Sequence, residues 1–244
     1  MKNLTNTITI IISASIIITA IILSGAWIKS HKKLDNTIYI TGLATKDFES
    51  DLIVWNCSFS RKSMSIKDAY KLLKKDADNI KSYLIKKGVN EKEIVFTSVS
   101  IQREFRTEVT NNIKNQVFDG FSLVQKEKIE SKDVDKIENV SREVTELIDL
   151  DIELNSMEPI YVYTKLVELK IEMIAKATKD ARSRAEQIAK NAESKLSDLK
   201  NANMGVFQIT GQNSAEEFSY GGAFNTSSKN KTASITVRLE FGID

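Results

Sequence analysis

The sequence predicts an α+β protein: a largely antiparallel sheet with helices packed on one face, preceded by one N-terminal transmembrane helix. Three observations support this prediction. An uncharged, isoleucine-rich segment lies near the start of the chain. Predicted strands, which alternate apolar and polar residues, occur in neighbouring pairs, and predicted amphipathic helices separate those pairs. Paired strands between helices are typical of antiparallel sheets, whereas a doubly wound parallel sheet alternates single strands with helices. The pattern leaves open whether there is one domain or two intertwined halves.

The first predicted element is a membrane anchor within residues 1–29. The 21 residues from 8 to 28 carry no charge and include ten isoleucines. As a helix they span roughly 32 Å, close to the ~30 Å hydrocarbon thickness of a bilayer, and ten isoleucines favour insertion by roughly 3–6 kcal/mol. We expect this segment to bind membrane lipid, with Trp27 in the headgroup layer. The residues taken to represent the anchor are Ile8, Ile12, Ile17, Ile22 and Trp27.

Cleavage and orientation are less strongly determined by this segment. A signal peptide cut near Ala26 is the alternative, although the apolar stretch is longer than the ~7–15 residues usual in a signal peptide. Lys29, Lys32 and Lys33 follow the span and, by the positive-inside rule alone, would keep the following domain in the cytoplasm. The short basic start and the long domain without a second span favour export. We predict a single-pass cell-membrane protein with an extracytoplasmic, periplasmic C-terminal domain, or a periplasmic protein after cleavage.

Composition argues against several classes of function. The 35 basic and 33 acidic residues leave a net charge of +2, so we expect no nucleic-acid partner. One Cys and one His leave no disulfide, no His-based catalytic triad in the domain and no His/Cys zinc site, and the usual glycine-rich phosphate loops are missing. We therefore assign no catalytic, cofactor-binding or metal-binding residue and predict a protein that is not an enzyme. A hydrolase using carboxylates or a Ser–Lys pair is the less favoured alternative.

After a tether over residues 30–36, the domain is predicted to occupy residues 37–244. Strands are expected over 37–48 and 51–60, and Cys57 falls on the buried face of the second, as a small core side chain. A helix should run from an N-cap at Ser65 to Gly88. Further strands over 95–105 and 118–129 should flank a polar connection, followed by a helix over 131–148.

The second half should contain a strand interrupted at Pro159, which we place at a sheet edge because proline cannot donate to a ladder. A long helix is predicted over 163–199, and strands over 204–211 and 232–243 follow. The core face of that helix is predicted to include Val167, Ile171, Ile174, Ala181, Ala185, Ile188 and Ala192.

Between the last two strands lies a loop of Gly, Ser, Asn and aromatic residues, which we predict to be flexible, at about 212–231. Loops of that length inside a compact domain are usually functional or disordered. Its aromatic residues could contact another subunit or partner, or fold back on their own domain; they are Phe218, Tyr220 and Phe224.

The chain resembles the SIMPL-domain family over about residues 36–241. The resemblance rests on the order of "ITGLATKDF", "LIKKGVNEKEIVFTSVSIQREF", "DARSRAEQIAKNAESKLSDLKNANMG" and "ASITVRLEF", while "LDIELNSMEPIYVY" lacks a glycine that often follows the second helix of the family. The resemblance implies an exported, periplasmic or membrane-associated domain that tends to self-associate, with some members linked to oxidative stress. It implies no catalytic residue.

Together these features predict a non-enzymatic, membrane-anchored extracytoplasmic domain. We expect it to form a homo-oligomer or to bind an envelope protein, with a link to oxidative or envelope stress implied by the resemblance. The principal alternative is a module that binds a small molecule or lipid between helix and sheet, which requires a large apolar cavity.

Overall fold

The structure, a computed structural model, describes residues 13–26, 36–110 and 113–244. Helices are α1 over 13–26, α2 (Ile66–Lys86), α3 (Val134–Glu143) and α4 (Leu166–Asn191), with 3-10 turns at Glu91–Glu93 and Val144–Leu150. Strands are β1 (Thr37–Glu49), β2 (Leu52–Ser63), β3 (Ile94–Phe96), β4 (Ser100–Thr110), β5 (Ile113–Ser131), β6 (Leu154–Ser156), β7 (Ile160–Val162), β8 (Leu196–Met204), β9 (Gln208–Gly211) and β10 (Asn230–Ile243). Antiparallel sheets and helices confirm the α+β prediction.

The chain forms two compact units. Unit 1 comprises Met1–Leu43, Ala175–Gly205 and Thr236–Asp244, and unit 2 comprises Ala44–Ile174 and Val206–Ile235. Three of the four boundaries fall within β1, α4 and β10, so each of these long elements contributes residues to both units, and the fourth falls between β8 and β9.

Unit 2 contains an antiparallel sheet in the order β3-β5-β2-β6, with β4 also paired to β5 and β7 to β2. Apolar residues alternate along β2, so one face of the sheet is buried under α2 and α3. Trp55 lies opposite Ile129 and Cys57 opposite Glu127 in the β2–β5 ladder. The core of unit 2 therefore lies between this face and the two helices.

Helix α2 matches the predicted signals closely. The Ser65 side chain accepts a hydrogen bond from the Asp68 amide, and Gly88 has φ +87° where the chain leaves the helix. Its inward residues follow helical spacing and are buried: Ala69, Leu73, Asp76, Ile80 and Leu84. Asp76 is the unexpected member, and it is ion-paired to Arg61 of β2.

In unit 1, β10 lies between β1 and β8, and α4 packs very closely against β1. A Cβ added at Gly42 would lie 2.1 Å from the Ala177 carbonyl oxygen and 2.7 Å from the Ala181 Cβ. Small residues on both elements allow this approach. The buried residues of α4 recur every four residues: Ala177, Ala181, Ala185 and Ala189 belong to unit 1, and Leu169 and Met173 belong to unit 2.

The predicted long helix was wrong at its C-terminal end and partly wrong in its buried face. It ends at Asn191, Glu193 has a left-handed φ of 56°, and residues 196–204 form β8 instead. Ala181 and Ala185 are buried as predicted, but Val167, Ile171 and Ile188 are exposed. The reason is that apolar residues lie on two sides of α4, and the side with the smaller residues allows the closest packing.

The predicted strand over 95–105 divides into β3 and β4, and the predicted polar connection over 107–116 is largely strand. Thr97 donates its amide to the Lys126 carbonyl in the break between β3 and β4. β4 continues to Thr110 and β5 begins at Ile113. As predicted, the segment around Pro159 is interrupted, and β6 and β7 are edge strands that pair only with β2 among the described residues.

Part of the predicted anchor falls within α1. Ile17 and Ile22 are exposed on this helix, whereas Ile8, Ile12 and Trp27 lie outside the described residues. Within the described ranges, no helix has both the length and the apolar character needed to cross a bilayer.

Candidate interaction surfaces

The most exposed apolar surface of unit 2 lies on a two-stranded arm, defined as residues 100–110 of β4 and 113–122 of β5. Between Ile101 and Phe118, almost every described side chain is exposed to solvent. Phe105 is 54% exposed and Val109 is 62% exposed. A sheet of only two strands buries little on either face, so its side chains remain accessible.

Aromatic stacking stabilises one face of the arm. Phe105 lies opposite Phe118 in the ladder, with ring centroids 5.9 Å apart in an edge-to-face arrangement. Phe118 in turn lies 5.2 Å from Phe121, which packs against the core of unit 2. The Gln116 side chain donates to the Thr107 hydroxyl at 3.0 Å. The aromatic row therefore connects the exposed end of the arm to the buried interior.

Charged residues occupy the opposite face of the arm. Arg106 lies 2.7 Å from Glu108 and 3.9 Å from Asp119, and Lys62 of β2 is ion-paired with Asp119. The Lys62 ammonium lowers the pKa of the Asp119 carboxyl group. These side chains are solvated, so we assign them a role in shaping the arm rather than in chemistry.

The outer edge of β4 has no strand beside it among the described residues. β4 pairs with β5 through its whole length, and with no other described strand. Every second residue of such an edge strand directs its N–H and C=O groups away from the sheet. The arm thus combines free backbone donors and acceptors with exposed apolar side chains, which is the combination used in strand addition.

The aromatic loop predicted at about 212–231 occupies residues 212–229 between β9 and β10, and it forms a second exposed surface in unit 2. Its main chain is anchored by the Gln208 side chain, whose Oε1 accepts from the Ser219 and Ala223 amides and whose Nε2 donates to the Ser219 carbonyl at 2.8 Å. Phe218 is 70% exposed and Tyr220 is fully exposed. Phe224 is also exposed, and its backbone forms a parallel bridge with Ile209. The backbone folds back on unit 2 while the aromatic rings do not.

Lys231 lies buried beneath this loop. Its ammonium group donates to the carbonyl oxygens of Tyr161 and Asn225, each at 2.7 Å, and the Asn225 side chain donates to Glu216. Burial lowers the pKa of Lys231 to about 8, and the Glu216 carboxylate acts in the opposite direction. No local pattern predicts the burial of Lys231, because a lysine at the start of a strand usually points into solvent. Lys231 connects the loop to β7.

A sequence model of one family, SIMPL, described as a protein of unknown function (DUF541), matches residues 38–241. The chain belongs to the SIMPL family. The resemblance inferred from the sequence is therefore confirmed across nearly all of the domain. A search of curated proteins found no match.

The interior of the SIMPL domain contains one thiol and one carboxyl group in contact. The Cys57 thiol donates to Glu127 Oε2 at 3.4 Å, and both residues are buried. Burial, the charge of Glu127 and this hydrogen bond all raise the pKa of Cys57 above its ordinary value. A thiol held in its protonated form is a poor nucleophile, so the structure supports the interpretation of Cys57 as a core side chain.

Unit 1 of the SIMPL domain contains an open depression of about 430 Å³. Its lining is both apolar and polar, and includes Tyr39, Ile40, Arg184, Gln187 and Ile188. A site for an apolar ligand is normally enclosed, whereas this depression is open to solvent. Among the residues that the structure describes, no group of three or more His, Cys, Asp or Glu side chains could hold a metal ion.

Proposed function

We propose that this SIMPL domain is a non-enzymatic assembly domain that associates with further copies of itself at the outer surface of a membrane, using the arm as its principal contact. The observation that carries the proposal is the exposed apolar face of the arm beside the free edge of β4. Exposed apolar side chains and unpaired strand edges are both costly in an isolated protein, and association removes both from water.

The N-terminal segment supports assembly because it would confine the domain to two dimensions. Tethered domains meet at a high effective concentration, so a contact that is weak in solution becomes populated at a membrane. The isoleucine-rich sequence of residues 8–28 supports this tether, and the short basic start supports an extracytoplasmic position for the domain.

The assembly is tested by the mass of the full-length chain in mild detergent, measured by light scattering after size-exclusion chromatography. We expect an oligomer for the wild type and a monomer for Phe105→Ser combined with Val109→Ser. Tyr70→Ser is the matched control, because Tyr70 is also an exposed aromatic residue of unit 2 but lies on α2. A wild type that is monomeric at high concentration contradicts the proposal.

The position of the domain is tested by Ser227→Cys in intact cells treated with a membrane-impermeant maleimide. Ser227 lies in the exposed loop, and the native Cys57 is buried and gives little background. We expect labelling without cell lysis, and a mass on the same blot that retains residues 1–26. Labelling only after lysis would place the domain in the cytoplasm, and a mass reduced by the N-terminal segment would show cleavage.

A further inference from the structure

The outer edge of β4 has a regular pattern of side chains. Alternation places Ile101, Phe105 and Val109 on one face of the strand and Glu104 and Arg106 on the other. The irregularity in the ladder falls on β5, where the partner shifts from Gly120 for Glu104 to Phe118 for Phe105. β4 itself therefore continues without a bulge and offers an unbroken edge of 11 residues.

The sequence of β4 is complementary to itself when the strand is reversed. In an antiparallel pair centred on one residue, residues equally distant from the centre lie opposite each other. With Phe105 at the centre, Glu104 lies opposite Arg106 and Ile101 opposite Val109 of the second strand. The remaining pairs join Arg103 to Thr107 and Gln102 to Glu108. No directly opposed pair brings like charges together.

We propose that the arm binds a second copy of this chain, and that the two β4 strands pair antiparallel about a two-fold axis through Phe105. This inference rests on the assembly proposed above and specifies its geometry. The paired arms form a four-stranded sheet in which the two β5 strands lie outside.

Neighbouring registers are less favourable for electrostatic reasons. A centre at Arg103, Glu104 or Arg106 places that residue opposite its own copy, and like charges directly opposite are destabilising. A centre at Thr107 avoids like charges but pairs only residues 104–110. The register centred on Phe105 is the one that uses the whole length of β4.

The Phe105 register also extends the aromatic row of the arm. Phe105 already packs edge-to-face on Phe118 at 5.9 Å, and the two-fold axis adds the same pair from the second copy. Four aromatic rings then lie side by side across the sheet, flanked by contacts between Ile101 and Val109. An unrelated extended segment could satisfy the backbone of the edge, but the symmetric placement of charges and apolar residues fits the strand itself.

Cysteine cross-linking of the full-length chain in membranes tests the register. Opposed residues have Cβ atoms about 5 Å apart, within reach of a disulfide, so Phe105→Cys should give a cross-linked dimer under mild oxidation. Thr107→Cys is the matched control: Thr107 lies on the same face, but its own copy would be roughly 13 Å away along the strand. The buried Cys57 does not compete.

Complementary charge changes provide a second test that does not depend on Phe105. Glu104→Lys or Arg106→Glu alone opposes two like-charged pairs, so each should weaken association by about tenfold. Mixing the two variants restores both pairs, so the heterodimer should form as well as the wild type. If mixing restores association, misfolding cannot be the reason that each single variant associates weakly. This control matters because Arg106 also contacts Glu108 within the arm.

The outcomes distinguish this inference from the proposed function. Cross-linking at residue 105 but not at 107, together with restoration in the mixture, supports the pairing. The proposed pairing is contradicted if the wild type is an oligomer but residue 107 cross-links, residue 105 does not, or mixing fails to restore association of the charge variants. Each of these results is still consistent with the proposed assembly. A monomeric wild type overturns both.

Discussion

Glu127 is the residue whose ionisation should link the stability of the domain to pH. It is 1% exposed, it accepts a hydrogen bond from Cys57, and its second oxygen, Oε1, has no hydrogen-bond partner among the residues that the structure describes. Burial raises the pKa of Glu127 from 4.5 to about 7, although the hydrogen bond from Cys57 acts against this. Because the folded state holds this proton more tightly than the unfolded state, stability is greatest at low pH and falls as pH rises from about 4.5 through 7.

We predict that the free energy of unfolding decreases by about 2 kcal/mol between pH 5 and pH 7.5, and that Glu127→Gln removes most of this decrease. Denaturant titrations of the full-length chain in mild detergent at the two pH values measure it. Glu130→Gln is the control, because Glu130 is on the same strand and its ion pair with Lys128 is exposed. Equal pH dependence in wild type and Glu127→Gln would show that another group is responsible.

A second buried group, Lys231, titrates in the opposite sense. Its pKa is lowered to about 8, so its contribution to stability increases as pH rises above that value. Restricting the comparison to pH 7.5 and below therefore separates the effect of Glu127 from that of Lys231. Neither burial could be predicted from the sequence, because charged residues are rarely buried and nothing in the local pattern marks these two as exceptions.

At the scale of elements, α2 was predictable because its determinants are local. The cap at Ser65, the spacing of Leu73 and Ile80, and the stop at Gly88 lie within one segment and agree with one another. β2 was predictable for the same reason, since its alternation continues through Ile53, Trp55 and Phe59. Local consistency of this kind needs no knowledge of the partner elements.

Helix α4 and β8 were predicted less well because packing decides them. The sequence of residues 192–199 continues a helical pattern, yet the chain turns at Glu193 and residues 196–204 pair with β10. The buried face of α4 is similarly chosen by Gly42, which is distant in sequence and allows the helix to approach at Ala177 and Ala181. Tertiary contacts override the local propensity in both cases.

The arm could have been predicted in part from the residue types of β4. Residues 107–116 are polar in composition, and polarity favoured a connecting loop. Ile101, Phe105 and Val109 nevertheless continue into that segment at a spacing of four residues. This spacing fits a helix as well as a strand, but β-branched and aromatic side chains favour the strand. The loop predicted at about 212–231 is found between β9 and β10, whereas the arm, which is the stronger candidate surface, was not predicted.

At the scale of the whole molecule, we propose that an apolar N-terminal segment tethers a SIMPL domain in which the outer edge of β4 is unpaired among the described residues. The described interior groups with strongly raised or lowered pKa, Cys57, Glu127 and Lys231, form hydrogen bonds with other protein groups. The arm and the loop expose large apolar side chains together with polar and charged ones. The edge of β4 is the feature on which the proposed assembly depends.

Amide hydrogen exchange along β4 tests the proposed association through the β4 edge most directly, because the measurement requires no substitution. In a monomer, the β4 amides that point away from β5 are exposed to water and exchange rapidly. We predict that β4 peptides of the full-length chain in detergent become protected as protein concentration rises, while peptides of α2, whose hydrogen bonds are intramolecular, do not change. Rapid exchange of β4 at every concentration, in a chain whose α2 is protected, would contradict the account.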